Sequence, residues 1–120
     1  MGISKIKKIR LSTYDKRWSK MAREAQPSCE YCGKTENLAA HHYIGRANKA
    51  TRLLLNNSII LCPSCHTFSS VFSAHKTPEK FKRWFKKYDP EREKMLTKTA
   101  TNHCTERQAI ETFKMLWMQK

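Results

Sequence analysis

The chain is poor in acidic residues and has no long apolar segment. Only 10 of its 120 residues are Asp or Glu, against 24 Lys or Arg, which gives a net charge of +14. Solubility does not require so large an excess, so the charge predicts a polyanionic partner. The longest apolar runs, such as residues 58–62, are far too short to cross a bilayer. We therefore expect no membrane contact and, because no internal repeat is present, a single domain over residues 1–120.

The N-terminus also lacks the features of an exported protein. The segment MGISKIKKIR is basic but contains no apolar core of the kind that a secretion signal needs. We therefore expect a cytoplasmic location. In that reducing compartment the five cysteines are not expected to form a disulfide framework.

Four of the five cysteines form two CxxC pairs with 29 residues between them. Two thiolate pairs can supply the four tetrahedral ligands of a structural zinc ion. A redox pair would leave the second CxxC unexplained, and the CxxCH string at residues 62–66, which also matches c-type haem attachment, would need export. We therefore predict structural zinc, and Cys104 is given no role. The predicted ligands are Cys29, Cys32, Cys62 and Cys65.

Apolar spacing and capping signals predict helices around a short hairpin. After the second CxxC, the spacing of Phe68, Val71 and Phe72 indicates a short helix with one apolar side. The predicted elements are a helix over 13–25, paired strands over 37–44 and 58–62, a short helix from about residue 63, a helix that begins at Pro78, a helical turn over 91–96, and a last helix from a capping box at 105–108.

Aromatic and basic residues alternate along the helix that begins at Pro78. Phe81, Trp84, Phe85 and Tyr88 recur at helical spacing, with four Lys or Arg residues between them and Lys80 directly before them. We interpret the aromatic stripe as a core-facing side and the basic residues as the solvated side. The alternative is that the aromatic rings stack on bases.

The connection between the predicted strands, residues 45–57, is basic. It carries Arg46, Lys49 and Arg52 and no acidic residue. A loop of this composition is suited to phosphate contacts, so we predict that these three side chains position a DNA backbone.

Histidines stand beside the cysteine pairs. His41 and His42 are adjacent and lie between the pairs, and His66 directly follows Cys65. A neutral imidazole can activate water near pH 7, and further imidazoles can hold a divalent ion that keeps open positions for phosphate oxygens. Strand alternation sends neighbouring side chains to opposite faces, so His41 and His42 share one site only if the strand twists or bulges. The alternative is that the histidines only complete zinc sites.

The order His, Asn, His inside paired CxxC motifs resembles the HNH endonuclease family, which has the ββα-metal or His-Me finger fold. The resemblance covers about residues 29–66, and the string SAHKTPEKF is similar to phage or mobile-element members. The matching residues are Cys29, Cys32, Leu38, His41, His42, Ile44, Asn57, Leu61, Cys62, Cys65 and His66.

The resemblance implies a role for each polar position of the motif. His42 would be the general base, and His41 and His66 would hold a catalytic Mg²⁺ or Mn²⁺. Asn57 would orient the base and brace the loop. Some relatives carry a further His or Asn where this chain has Ser70. His75 lies too far round an ideal helix to join the site without a bend.

The sequence thus predicts an α+β fold with a zinc-stapled ββα-metal core over residues 29–75. A basic helical segment over 1–28 and C-terminal helices over 76–120 flank this core. The predicted function is metal-dependent endonucleolytic cleavage of DNA, as a nick or a double-strand break, with 5′-phosphate and 3′-hydroxyl ends by resemblance. A non-catalytic zinc-knuckle protein that binds nucleic acid is the alternative, and RNA as substrate is a third possibility. The location would be the host cytoplasm if the chain is phage-encoded, and the pattern leaves monomer and homodimer open.

Overall fold

The structure is a computed structural model that describes residues 10–118. The first nine residues of the predicted N-terminal segment therefore lie outside the described residues. A two-stranded antiparallel sheet and several helices confirm the predicted α+β class. The helices are α1 (Leu11–Ala25), α2 (Lys49–Arg52), α3 (Pro78–Tyr88), α4 (Pro90–Thr99) and α5 (Glu106–Met118), and the strands are β1 (Ala39–His42) and β2 (Ser58–Leu61).

The hairpin is regular. β1 pairs with β2 in an unbroken register from Ala39 opposite Leu61 to His42 opposite Ser58. All four residues of β2 are buried, whereas those of β1 are half-buried. The predicted hairpin is confirmed, although each strand is shorter than predicted, and no bulge interrupts it.

The prediction of a short helix from about residue 63 is wrong in the length of that helix. The chain forms only a π-helical turn, Ser64–Phe68. Phe68 is 68% exposed and Val71 is 73% exposed, so the predicted apolar side does not form. The Ser69 hydroxyl accepts hydrogen bonds from the N–H groups of Val71 and Phe72 at 3.1 and 3.2 Å, and such local bonds compete with helix continuation.

Two apolar clusters hold the helices against the hairpin. One joins β2 and the cysteines to α3 and α4, and Phe81 and Phe85 of α3 are 3% and 0% exposed within it. The other joins α1 to α5 through Trp18 and Phe113, which are 1% and 2% exposed. The buried positions of Phe81 and Phe85 confirm the core-facing interpretation for these two rings.

The ends of the helices follow the sequence signals only in part. Thr105 and Gln108 form the predicted capping box, each side chain accepting the other residue's N–H, at 2.9 and 3.1 Å. The turn expected over 91–96 is a longer helix, α4, whose first turn is capped by the Asp89 side chain. Within residues 10–118, every helix falls short of the length and apolar character needed to span a membrane.

Candidate active site

The four predicted cysteine ligands come together at one end of the hairpin. Cys29 and Cys32 lie in the turn before β1, Cys62 follows β2, and Cys65 lies in the π-helical turn. Their sulfur atoms all lie within 4.8 Å of one another, and the Sγ atoms of Cys32 and Cys62 are 3.6 Å apart. Zn–S bonds of about 2.3 Å place tetrahedral sulfurs about 3.8 Å apart. The donor set and its spacing therefore suit a structural zinc ion.

The first knuckle turns tightly and favours a thiolate. Gly33 has a φ of +84°, and its N–H donates to the Cys29 carbonyl at 2.9 Å. Burial alone raises the pKa of the Cys29 thiol, but hydrogen bonds from backbone groups at Cys32, Cys62 and Tyr31 lower it to about 7. Burial and the adjacent thiols raise the pKa of Cys65. A bound dication removes this conflict because it stabilises every thiolate at once.

A buried carboxylate connects this knuckle to the rest of the fold. The Glu30 side chain, 5% exposed, forms an ion pair with Arg92 of α4 at 2.8 Å. It also accepts the backbone N–H of Ile60 at 2.8 Å and the hydroxyl of Tyr88 at 3.0 Å. Glu30 therefore fixes the first CxxC turn against β2 and α4.

Three imidazoles form a second cluster beside the sheet. His41 of β1, His66 of the π-helical turn and His75 of the following loop have ring nitrogens within 4.8 Å of one another. The Nε2 atoms of His66 and His75 are 3.1 Å apart. Burial first, and then the neighbouring His66, His75 and His42, lower the pKa of His41 to about 3, so its ring is neutral at pH 7.

The return of the chain after the π-helical turn places His75 in this cluster. The N–H of Ala74 donates to the Cys65 carbonyl at 2.9 Å, and the N–H of His75 donates to the His66 carbonyl at 3.1 Å. These two bonds pair the loop with the turn that carries His66. The sequence excludes His75 from the site only if an ideal helix continues past His66, and the helical turn ends at Phe68.

His42 contacts different elements from its neighbour. Its ring stacks on Trp18 of α1, with centroids 3.9 Å apart and planes 10° apart. Its Nε2 lies 3.0 Å from the Arg52 carbonyl oxygen. A carbonyl can only accept, so Nε2 carries the proton, and in the neutral ring Nδ1 keeps its lone pair. Burial lowers the pKa of His42 and so favours this neutral form, although the nearby Asp15 carboxylate partly offsets the effect.

The two neighbouring histidines nevertheless line one pocket of about 450 Å³. The pocket extends around the end of β1 from α1 to the loop of His75, so it receives side chains from both faces of the strand. The strand register shows no bulge, and the pair needs none. The lining residues are Asp15, Trp18, Ser19, Ala40, His41, His42, Gly45, Arg46, His66 and His75.

Asn57 braces the loop that follows the histidine pair. Its amide accepts the Ile44 N–H at 2.8 Å and donates to the Ile44 carbonyl at 2.9 Å. The Asn57 side chain is fully buried and does not line the pocket. In this arrangement it holds the backbone just beyond His42 and lies away from the pocket.

We expect Asn57→Ala to lower the free energy of unfolding by about 2–4 kcal/mol, because both backbone polar groups of Ile44 lose their partner. Urea denaturation measures this loss. The neighbouring Asn56 is exposed, so Asn56→Ala is the matched control, with an expected change within about 0.5 kcal/mol. Equal stability of the two variants would contradict the bracing role.

The three basic residues predicted to bind DNA have different surroundings. Arg46 is exposed at the rim of the histidine pocket. Arg52 forms an ion pair with Asp15 of α1, at 2.7 Å for Nη2 and 3.2 Å for Nε. Lys49 does not line the histidine pocket but a separate depression of about 280 Å³ between α2 and α5. Of these three residues, only Arg46 reaches the histidine pocket as a cation open to solvent.

We expect Arg46→Gln to weaken DNA binding and to lower the slope of log affinity against log salt by about 0.9, the loss of one phosphate contact.

Arg52→Gln should instead lower the free energy of unfolding by about 1–3 kcal/mol, because it breaks the contact with Asp15. Fluorescence anisotropy at several salt concentrations and urea denaturation separate the two effects. An unchanged salt slope for Arg46→Gln would contradict a phosphate contact at Arg46.

Sequence reasoning missed two partners of His42 on α1. Trp18 and Asp15 lie more than twenty residues before the histidine pair, and nothing in their helical spacing distinguishes them from ordinary core and surface positions. His75 gives no such signal either, because its place in the pocket depends on the loop that pairs back onto the turn of His66.

Comparison with known proteins agrees with this site. Residues 29–70 match the family model described as HNH endonuclease. The match includes the four clustered cysteines, His41, His42, Asn57 and His66, and it ends before His75. Comparison with curated proteins and with solved structures gives no match. The resemblance to HNH endonucleases is thus confirmed for this segment, and it supports a nuclease with a nucleic-acid substrate.

Proposed function

We propose that the protein is a metal-dependent endonuclease that hydrolyses phosphodiester bonds in DNA. The observation that carries this proposal is the histidine pocket. Three imidazoles lie close enough to hold one cation, and a fourth imidazole in the same pocket keeps Nδ1 free to accept a proton. A module that only binds nucleic acid has no use for this second cluster beside a complete cysteine site.

His41, His66 and His75 are the proposed metal ligands. A divalent cation held there would neutralise charge that develops on the phosphate and on the leaving 3′ oxygen. Imidazole nitrogens suit transition-metal ions, whereas Mg²⁺ prefers oxygen. The third imidazole therefore moves the expectation from Mg²⁺ toward Ni²⁺ or Co²⁺, with Mn²⁺ bound more weakly than either, while zinc occupies the cysteines.

The remaining residues handle the proton and the substrate backbone. His42 Nδ1 takes the proton from the attacking water, and the resulting imidazolium keeps its Nε2 bond to the Arg52 carbonyl. The stacked Trp18 ring fixes the imidazole plane and favours its positive charge by a cation–π contact. Arg46 at the rim binds a phosphate of the substrate.

Nicking of supercoiled plasmid tests this proposal. The zinc-loaded protein is incubated with plasmid alone and then with added Mn²⁺, Co²⁺, Ni²⁺ or Mg²⁺. We expect relaxed circles only with an added ion, and faster relaxation with Mn²⁺ than with Mg²⁺. If the folded protein binds the plasmid but relaxes none with any ion, it is a binding module. A parallel reaction with RNA tests the other substrate class.

A further inference from the structure

A second groove opens beside the histidine pocket, on the other side of Gly45. Its volume is about 360 Å³, and it is lined by residues 43–45, by Lys82 and Lys86 of α3, and by Glu93 and Thr97 of α4. Gly45 lines both depressions, so they meet at the backbone of this one residue. Because Gly45 has no side chain, no side chain of this residue separates the two depressions.

One wall of this groove is strongly basic. Lys82 and Lys86 are exposed and stand one helical turn apart, so their ammonium groups lie on the same side of α3. Among residues 10–118 neither lysine has an ion-pair partner. Each can therefore take a phosphate oxygen without losing a contact within the protein.

The acidic residue of the groove is already engaged. The Glu93 carboxylate accepts hydrogen bonds from the Tyr43 hydroxyl at 3.0 Å and from the Thr97 hydroxyl at 3.2 Å. It tethers α4 to the residue that follows β1. The two exposed lysines outnumber this one carboxylate, so the surface of the groove is net positive.

We infer that the groove carries the DNA strand that passes through the histidine pocket, with its phosphates on Lys82 and Lys86. This inference rests on the proposed function, and it names the surface that holds the substrate beyond the cleaved bond. The strand crosses at Gly45, next to Arg46 at the rim of the pocket. α3 lies outside residues 29–70, so the basic wall of the groove belongs to the part of the chain that the family match does not cover, whereas residues 43–45 lie within the match.

A matched pair of double variants tests the groove. Lys82→Gln with Lys86→Gln removes two charges from its wall. Arg83→Gln with Lys87→Gln removes two charges at the same spacing on the same helix, from exposed positions that line neither depression. Binding of the zinc-loaded protein to a labelled DNA duplex is measured by anisotropy at several salt concentrations. No Mg²⁺ or Mn²⁺ is added, which prevents cleavage.

We expect the groove variant to bind about tenfold more weakly and to lose about two units of salt slope, close to 0.9 for each phosphate contact. The control variant should keep most of the parent's affinity. Equal affinity and equal slope for the two double variants would overturn the inference.

Gly45→Val is a second, independent test of the groove inference. A Cβ at this position meets no atom within 4 Å, and the residue does not use the left-handed backbone region, so the fold should tolerate the change. We expect an unchanged unfolding temperature and at least severalfold weaker DNA binding, because the side chain stands in the path of the strand. Parent-like binding by this variant would contradict passage over Gly45.

The outcomes distinguish a failure of the groove inference from a failure of the proposed nuclease activity. If the parent cuts nothing but binding still depends on Lys82 and Lys86, the groove is a DNA-binding surface and only the nuclease proposal is wrong. If the parent cuts DNA and the groove variant binds and cuts as the parent does, only the groove inference is wrong.

Discussion

Cys62→Ser is expected to leave the protein largely unfolded. Cys62 is 1% exposed, and its sulfur is one of four that lie within 4.8 Å of one another. Zinc bound at such a site contributes on the order of 10 kcal/mol or more to folding, comparable with the whole stability of a typical domain, about 5–15 kcal/mol. Serine is a much weaker zinc ligand, so most of this contribution is lost.

Circular dichroism and the zinc content of the purified chain measure the effect. We expect one tightly held zinc per parent chain, and for Cys62→Ser both loss of zinc and loss of the cooperative thermal transition. Cys104→Ser is the matched control, because Cys104 lies outside the cluster. A cooperative unfolding transition for Cys62→Ser at the parent's temperature would contradict a structural role for zinc.

His66→Ala is expected to abolish metal-dependent cleavage and to leave DNA binding nearly unchanged. The imidazole is one of three around the proposed ion, and its Nε2 lies 3.1 Å from that of His75. Even residues that only support metal ligands cost about 10–100-fold in affinity when replaced, so loss of a direct ligand should exceed about 100-fold.

Calorimetric titration of the zinc-loaded protein with Ni²⁺ checks the affinity, and plasmid nicking checks the rate. His75→Ala should act in the same direction, although His75 lies outside the matched segment. His103 is exposed and lies outside the cluster, so His103→Ala should bind Ni²⁺ as the parent does. Parent-like nickel affinity for both His66→Ala and His75→Ala would contradict the three-imidazole site.

The parts of the site that local sequence determines could be predicted. The spacing of the CxxC pairs predicts four clustered sulfurs, and alternation with turn signals predicts the hairpin between them. The capping box at Thr105 likewise depends on residues only three apart. In each case the interacting groups either are close in the chain or belong to one repeated motif.

The parts that depend on packing between distant elements could not be predicted. Arg52 carries the same charge as Arg46, but it lies opposite Asp15 of α1, 37 residues earlier, and is therefore not available to a phosphate. His75 joins the site because Ser69 interrupts the helix and the loop pairs back onto the turn of His66. Neither event leaves a periodic pattern in the sequence.

The expected strand twist or bulge illustrates the same limit. Alternation correctly separates the contacts of His41 from those of His42, since the first faces His66 and His75 while the second faces Trp18. The pocket itself extends around the end of the strand, and helix α1 supplies its second wall. Local backbone rules describe the strand, whereas the position of α1 decides that both rings reach one cavity.

We propose that His42 activates the water that cuts DNA. The most direct test compares the first-turnover rate of plasmid nicking in Mn²⁺ for the parent and for His42→Gln, at saturating protein and with matched zinc content. General-base catalysis is worth about 10²–10⁴-fold, so we expect a rate reduced by that factor with DNA affinity unchanged. Nicking by His42→Gln at the parent's rate would contradict it.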